Sequence, residues 1–213
     1  GYEFLDPRAL AGFSEEQKRV HPEHKWDESS IFWWEKMERV KTSTKVFIPA
    51  QFVYWNYLYD IEAGEPFLRE PNTNGCGGMF TREEAILSGL YELIQRDAFL
   101  IFWLNSLAPP KVNLEGIPDE FLHKLGEEIK RYGFVAHCLN TTLDTKIPSF
   151  VVMLEDPSGI GPRFIAGGGC QPDPIKALTG ALKEALFLYQ LIRGTPVLEL
   201  PKGYKPFHDP LGQ

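Results

Sequence analysis

Apolar side chains change their spacing as the chain is followed. Between Pro118 and Arg131 they recur every three or four residues, the period of one helix face. Long helices are also predicted from about Thr81 to Leu104 and from Pro174 to Ile192, with Pro109-Pro110 as the stop for the first. Short runs rich in β-branched and aromatic residues read as strands at Phe134–Leu139, Ser149–Leu154 and Arg163–Ile165. Earlier strands are expected at Ile31–Trp34 and Lys45–Pro49, with Gln51–Tyr54 continuing the second across Pro49. Ser14-Glu15-Glu16-Gln17 reads as a short capped helix inside a polar and aromatic segment, residues 1–44. Residues 60–74 form a turn-rich loop, and residues 195–213 a proline-rich tail. Gly133 and the short connection at 140–147 favour antiparallel strand neighbours. The pattern predicts an α+β fold (mixed α/β), built as a pseudo-repeat.

The repeat is a glycine-rich turn feeding a helix that carries one glutamate about three turns in. The first copy runs Gly75-Cys76-Gly77-Gly78, then Thr81-Arg82-Glu83-Glu84-Ala85, then Leu90-Tyr91-Glu92. The second runs Gly167-Gly168-Gly169-Cys170, then Asp173-Pro174-Ile175-Lys176-Ala177, then Leu182-Lys183-Glu184. Ala85 to Ala177 and Glu92 to Glu184 share one offset of 92 residues. Glycine turns aimed at helix starts bring backbone N–H groups close to phosphate, and a carboxylate on each helix could hold a metal ion beside it.

Composition narrows the classes without choosing one. The net charge of −7 argues against a nucleic-acid phosphate contact, which needs a basic face. The longest apolar run, Ala98–Leu104, is too short to span a bilayer, and no signal peptide opens the chain. Cys76, Cys138 and Cys170 contain no CxxC, so neither a disulfide framework nor a zinc knuckle is expected, and a reducing cytoplasm is. Gly1 in place of methionine points to a processed or partial chain.

On a helix begun near Thr81, Glu92, Gln95 and Arg96 share one face, with Ser88 and Glu84 on earlier turns of it. Ile86, Leu90, Leu93 and Ile94 are left for the core. Acid, amide and guanidinium together suit Mg²⁺ and phosphate; the plainer reading is a solvated face with a Glu92–Arg96 pair. Glu84 equally reads as the far end of a capping box with Thr81, and Glu184 alone as an exposed glutamate. Asn72 and Asn74 could bond ribose or phosphate, or simply make a turn. No standard phosphate loop is present. Cys76 and Cys170 read as small buried residues, His21 and His24 as part of a solvated loop, and His137 as a satisfied core histidine.

These residues, taken in order, resemble the YcaO family. Asn72-Thr73-Asn74-Gly75 to Gly78, Glu84-Ala85 and Glu92-Leu93-Ile94-Gln95-Arg96-Asp97-Ala98 resemble its central turn and its E-x-x-E-R-D-A helix. Gly12–Gln17 resembles its G-[LF]-S-x-E-Q entry, and Ile48–Tyr54 its P-A-x-L-V-Y segment. Gly167–Cys170 with Ala177–Glu184 resembles its second glycine–helix unit. The resemblance implies ATP- and Mg²⁺-dependent O-phosphorylation of a peptide backbone amide, giving azoline rings, or a thioamide where sulfide is the nucleophile. It implies nucleotide contacts at Asn74, Glu84, Glu92, Gln95, Arg96 and Glu184, with Glu84, Glu92 and Glu184 as metal ligands. A precursor peptide, a leader-binding partner protein and a homodimer are implied as partners, with neither nucleic acid nor membrane.

The sequence departs from the family at several points. Gln95 stands where the family has a second glutamate, Phe187 where it has glutamine, and Gly77 and Met79 within the turn. The family's S-G-x-x-S-G-K-G segment has no counterpart, which makes this a partial domain by resemblance. The rival expectation is a catalytically degenerate module that binds peptide or partner protein.

Overall fold

The computed structural model describes residues 3–10, 12–69 and 72–193; the proline-rich tail lies outside them. Two compact units divide the chain, Gly1–Thr73 and Asn74–Gln213.

In the first unit β3 (Lys45–Pro49) is the middle strand, with β1 (Glu3–Phe4) parallel on one side and β2 (Trp34–Glu38) antiparallel on the other. The turn fixes the register: Arg39 N–H donates to Thr44 O at 2.9 Å, and Ser43 takes a positive φ of 55°. Counting outward from that turn pairs Trp34 with Pro49, so the strand expected at Ile31–Trp34 in fact begins at Trp34. Nor does Gln51–Tyr54 continue β3: Ala50–Phe52 is a 3₁₀ turn. Its cause is the buried Gln51 amide, which accepts from Leu68 N–H at 2.8 Å and donates to Pro66 O at 3.0 Å. An unpaired buried amide is costly, so the side chain decides the backbone here. Helix α1 (Glu15–Val20) carries the expected capping box, Ser14 with Gln17. His24 is not solvated: it is 4% exposed and stacks on Phe13 with centroids 3.7 Å apart.

The second unit is an antiparallel sheet in the order β4 (Lys111–Val112), β5 (Val135–Asn140), β6 (Ser149–Glu155), β7 (Phe164–Cys170). Three helices accompany it: α2 (Arg82–Leu104), α3 (Glu120–Arg131) and α4 (Pro174–Arg193). The mixture of helices and sheets is the predicted α+β fold. Strand period 2 sorts β6 between two faces. Phe150, Val152 and Leu154 join Leu122 and Ile129 of α3 and the apolar face of α4 in one core. Val151 and Met153 face the other way, lining a groove with Phe99, Phe102 and Trp103 of α2. Helix α2 therefore covers the sheet from the side opposite α3 and α4.

Three local expectations change. Helix α2 ends at Leu104 as expected, but the stop is Asn105 and not the prolines: its side-chain amide donates to Ile101 O at 2.8 Å. Of the apolar α2 residues expected in the core, Leu90 and Leu93 are each 47% exposed and Ile86 and Ile94 are half-buried; within α2 only Gly89 and Ala98 are fully buried. His137 is half-exposed rather than a core residue, its Nε2 lying 3.1 Å from Glu155.

Candidate functional site

Both copies of the repeat place a glycine segment directly on the backbone of the following helix. A β-carbon at Gly77 would lie 2.1 Å from Ala85 O, and one at Gly169 would lie 2.0 Å from Ala177 O. The contacts obey the 92-residue offset: Gly77, Ala85 and Gly89 in the first copy correspond to Gly169, Ala177 and Ala181 in the second. The helix caps obey it too. Thr81 closes α2 with Glu84, and Asp173 closes α4, its Oδ1 accepting from Ile175 N–H at 2.9 Å and Lys176 N–H at 3.3 Å.

The two segments differ in conformation. Asn74–Gly75 is a turn, with Gly75 at φ 80°, whereas Gly167, Gly168 and Gly169 belong to strand β7. The second glycine turn expected from the sequence is thus a strand. Its glycines serve the approach of α4, which lays Ala177, Ala181 and Ala185 on the strand backbone. At the helix starts Thr81 Oγ1 takes the Glu84 N–H, and Asp173 Oδ1 takes those of Ile175 and Lys176, where its carboxylate also repels phosphate.

The helical glutamates hold the geometry that remains. Gly75 N–H donates to Glu92 Oε2, and Gly168 N–H donates to Glu184 Oε2 at 2.6 Å. Gly168 points its N–H out of the sheet, because β7 pairs with β6 through the alternate residues (Gln171 N–H to Pro148 O, Asp156 N–H to Arg163 O). Each carboxylate is oriented through one oxygen by a backbone donor. On the opposite face of β7, Gln95 rests on Gly168, where a β-carbon would lie 1.8 Å from its Nε2. Gln95 and Glu184, from α2 and α4, therefore meet at one glycine. Arg96 Nη2 lies 3.6 Å from Glu92 Oε1, and its Nε is buried without a hydrogen-bond partner.

Of the predicted residues, Glu92 and Arg96 stand together on α2, and Gln95 joins Glu184 across β7. Glu84 is exposed and engaged in the capping box, its Oε2 accepting from Thr81 N–H at 3.3 Å. Asn74 is exposed in the turn. Among the described residues no three His, Cys, Asp or Glu side chains gather as a ready metal cage. The donor set still fits a divalent ion carried with phosphates. A hard cation needs few protein carboxylates when phosphates and water complete its shell, and the partly exposed Arg96 guanidinium has a donor to spare at its buried Nε. Cys76 is exposed rather than buried, whereas Cys170 and Cys138 are buried and burial pushes each thiol up to about 11. Sequence reasoning missed Gly89, whose missing side chain admits the first glycine segment: a β-carbon there would lie 2.5 Å from Gly75 O. Extending the 92-residue comparison to every position would have found it.

An α+β layer in which paired helical glutamates clamp glycine backbones is what the geometry defines. A family model described as YcaO cyclodehydratase, ATP- and Mg²⁺-binding, matches residues 1–206, and the chain belongs to that family. An uncharacterized protein in the tfuA 3′ region of Rhizobium leguminosarum bv. trifolii is 29% identical over 156 residues, 68% of this chain and 36% of that protein. A heterocyclase solved in complex with substrate and cofactor superposes with a TM-score of 0.75 at 25% identity, over 93% of this chain and 28% of its own. YcaO from Methanopyrus kandleri, solved with AMPPCP and Mg²⁺, shares the fold at 23% identity with a TM-score of 0.60, over 79% of this chain and 43% of its own. The chain thus spans well under half the length of these relatives. No helix among the described residues is long and apolar enough to cross a membrane.

Proposed function

We propose that this chain forms part of an ATP- and Mg²⁺-dependent enzyme that activates peptide backbone amides, closing azoline rings on a ribosomally made precursor peptide. The observation that carries this reading is the pair of glycine-held glutamates, Glu92 and Glu184, with the Arg96 guanidinium beside the first. Each glutamate keeps one oxygen on a backbone N–H, an outer-shell restraint that would fix a ligand's direction and leave the second oxygen for the metal. ATP, when bound, supplies the phosphoryl group that makes an amide oxygen a leaving group. Arg96 would neutralise charge on the phosphates, and Asn74 would bond the nucleotide. Gln95 would offer a neutral amide over Gly168, so the site carries one negative charge fewer than a glutamate there would give. Glu84 would reach the metal only by leaving its cap at Thr81.

The precursor peptide, a leader-binding partner protein, a homodimer and a cytoplasmic setting are parts of the same proposal. A second reading, a degenerate YcaO-like module that binds peptide or partner, is favoured by the lack of a three-carboxylate cage among the described residues and by Gln95. Titration calorimetry of ATP with and without Mg²⁺ separates the two. Magnesium-dependent binding that Glu92→Gln abolishes, with the melting temperature nearly unchanged, supports the enzyme. Absence of binding at millimolar ATP leaves the module. Product analysis then distinguishes azoline from thioamide chemistry.

A further inference from the structure

A second recognition surface lies away from the paired glutamates, in a groove between α3 and the edge of β5. Residues of β5 alternate in the direction of their backbone groups. Thr141 N–H, just beyond the end of β5, donates to Ser149 O of β6, while Asn140 N–H donates to Pro110 O on the β4 side. Even-numbered residues therefore face β4. That strand is only two residues long and pairs only with Leu139 and Cys138. The next outward-facing residue is Ala136, and among the described residues its N–H and C=O have no backbone partner. They open onto a groove of about 540 Å³ floored by Leu114, Leu122, Ile129 and Phe134.

Two further observations concern what fills the groove. Gly126 lies in the interior of α3, where glycine costs about 1 kcal/mol relative to alanine. Packing does not require it: the nearest atom to a β-carbon there would be Leu114 Cδ1, at an ordinary 3.7 Å. The glycines at 77, 89, 167 and 169, by contrast, all meet backbone atoms. At Gly126 the missing side chain leaves the groove open. The charged rim holds Glu115, Glu127 and Lys130, with His123 beside them; Glu115 and Lys130 pair at 2.6 Å and Glu127 shares that one lysine, so two carboxylates face one ammonium and the rim keeps a net negative charge.

We propose that this groove binds an extended peptide segment as an added strand on β5. One apolar side chain enters the pocket, its backbone exchanges hydrogen bonds with Ala136, and a flanking basic residue answers the negative rim. An open strand edge beside a helix, with an apolar pocket between them, is the geometry of strand-addition recognition. Identifying that peptide with the precursor rests on the proposed function; the binding mode does not, and its test uses no nucleotide.

The probe is acetyl-Lys-Val-Leu-Val-Lys-amide, titrated into the ¹⁵N-labelled full chain and followed at the amides of residues 134–137. Saturable shifts are expected there. The same peptide N-methylated at leucine should bind about five- to tenfold more weakly for the loss of one backbone hydrogen bond. Gly126→Phe should fill the groove and abolish the shifts. Gly126→Ala, which makes only ordinary contact, should keep them and controls for folding. Ala136→Pro removes only the outward N–H, a change an edge position tolerates, and should weaken binding as N-methylation does. No shift at millimolar peptide, or equal binding by the N-methylated peptide and the Gly126→Phe chain, overturns the proposal. Concentration-dependent shifts of these amides without peptide would assign the groove to a second copy and likewise overturn it.

Discussion

The two copies of the repeat share an offset, a cap, a glycine contact and a clamped glutamate, yet they are buried very differently. Helix α4 buries Ala177, Leu178, Ala181, Leu182, Ala185 and Tyr189, while α2 leaves Leu87, Leu90 and Leu93 nearly half exposed. The second glycine segment is a strand in a four-stranded sheet; the first is a turn outside any ladder. A local sequence pattern can thus specify a contact, glycine on helix, without specifying how much structure is built around it. The second copy is the structural anchor, and the first holds Glu92, Gln95 and Arg96 on a helix with few buried neighbours.

The contrast can be broken most directly through the cores of the two helices. Leu182→Ala should cost about 4 kcal/mol in urea unfolding, as truncation of a fully buried leucine does, whereas Leu90→Ala should cost under about 1 kcal/mol. Similar losses would mean that α2 is as deeply anchored as α4. Next in size is the glycine contact. Gly169→Ala drives a methyl into the α4 backbone within a fixed ladder and should cost about 3 kcal/mol. Gly77→Ala meets the same kind of clash in a segment free to shift and should cost about 1 kcal/mol. Equal costs would show the first segment to be as rigid as the strand.

Thiol reactivity sharpens the comparison without a mutation. Cys76 should react with a disulfide reagent in the native state, while Cys170 reacts about a hundredfold more slowly at pH 8, because a thiol raised to about 11 is rarely ionised there. The smallest expected effect is on pH dependence. Hydrogen bonds from Ser158 and then Tyr189 hold the Asp156 carboxyl below its usual range. Its contribution to stability is therefore present above the ordinary carboxylate pKa and is lost as pH falls through the depressed value. Asp156→Asn should flatten that acid limb of the stability curve; an unchanged limb would remove Asp156 from it.

Much of this was legible before any coordinates. The helices expected at 81–104, 118–131 and 174–192 and the strands at 134–139 and 149–154 were readable because each follows from local spacing, as were the capping boxes at Ser14 and Thr81. The two-residue β4 was not foreseen, and β7 was foreseen only at its start. The failures share a cause. Gln51 turned an expected strand into a 3₁₀ turn because its buried amide had to bond residues 15 to 17 positions away. Gly167–Gly169 looked like a turn because glycine is usually read as a breaker, when its role was to admit a helix.

By itself the sequence determined the family, the α+β class, the 92-residue repeat and the residue types at the candidate site, all of which depend on local order and identity. Only the tertiary structure decided that Glu92 and Glu184 are held by glycine N–H groups, that Gln95 and Glu184 meet at Gly168, and that α2 stays half exposed. Those outcomes depend on which backbone donors the sheet leaves pointing outward and on which helix faces find a partner. Both are set by contacts between residues far apart in the chain, which no local spacing records.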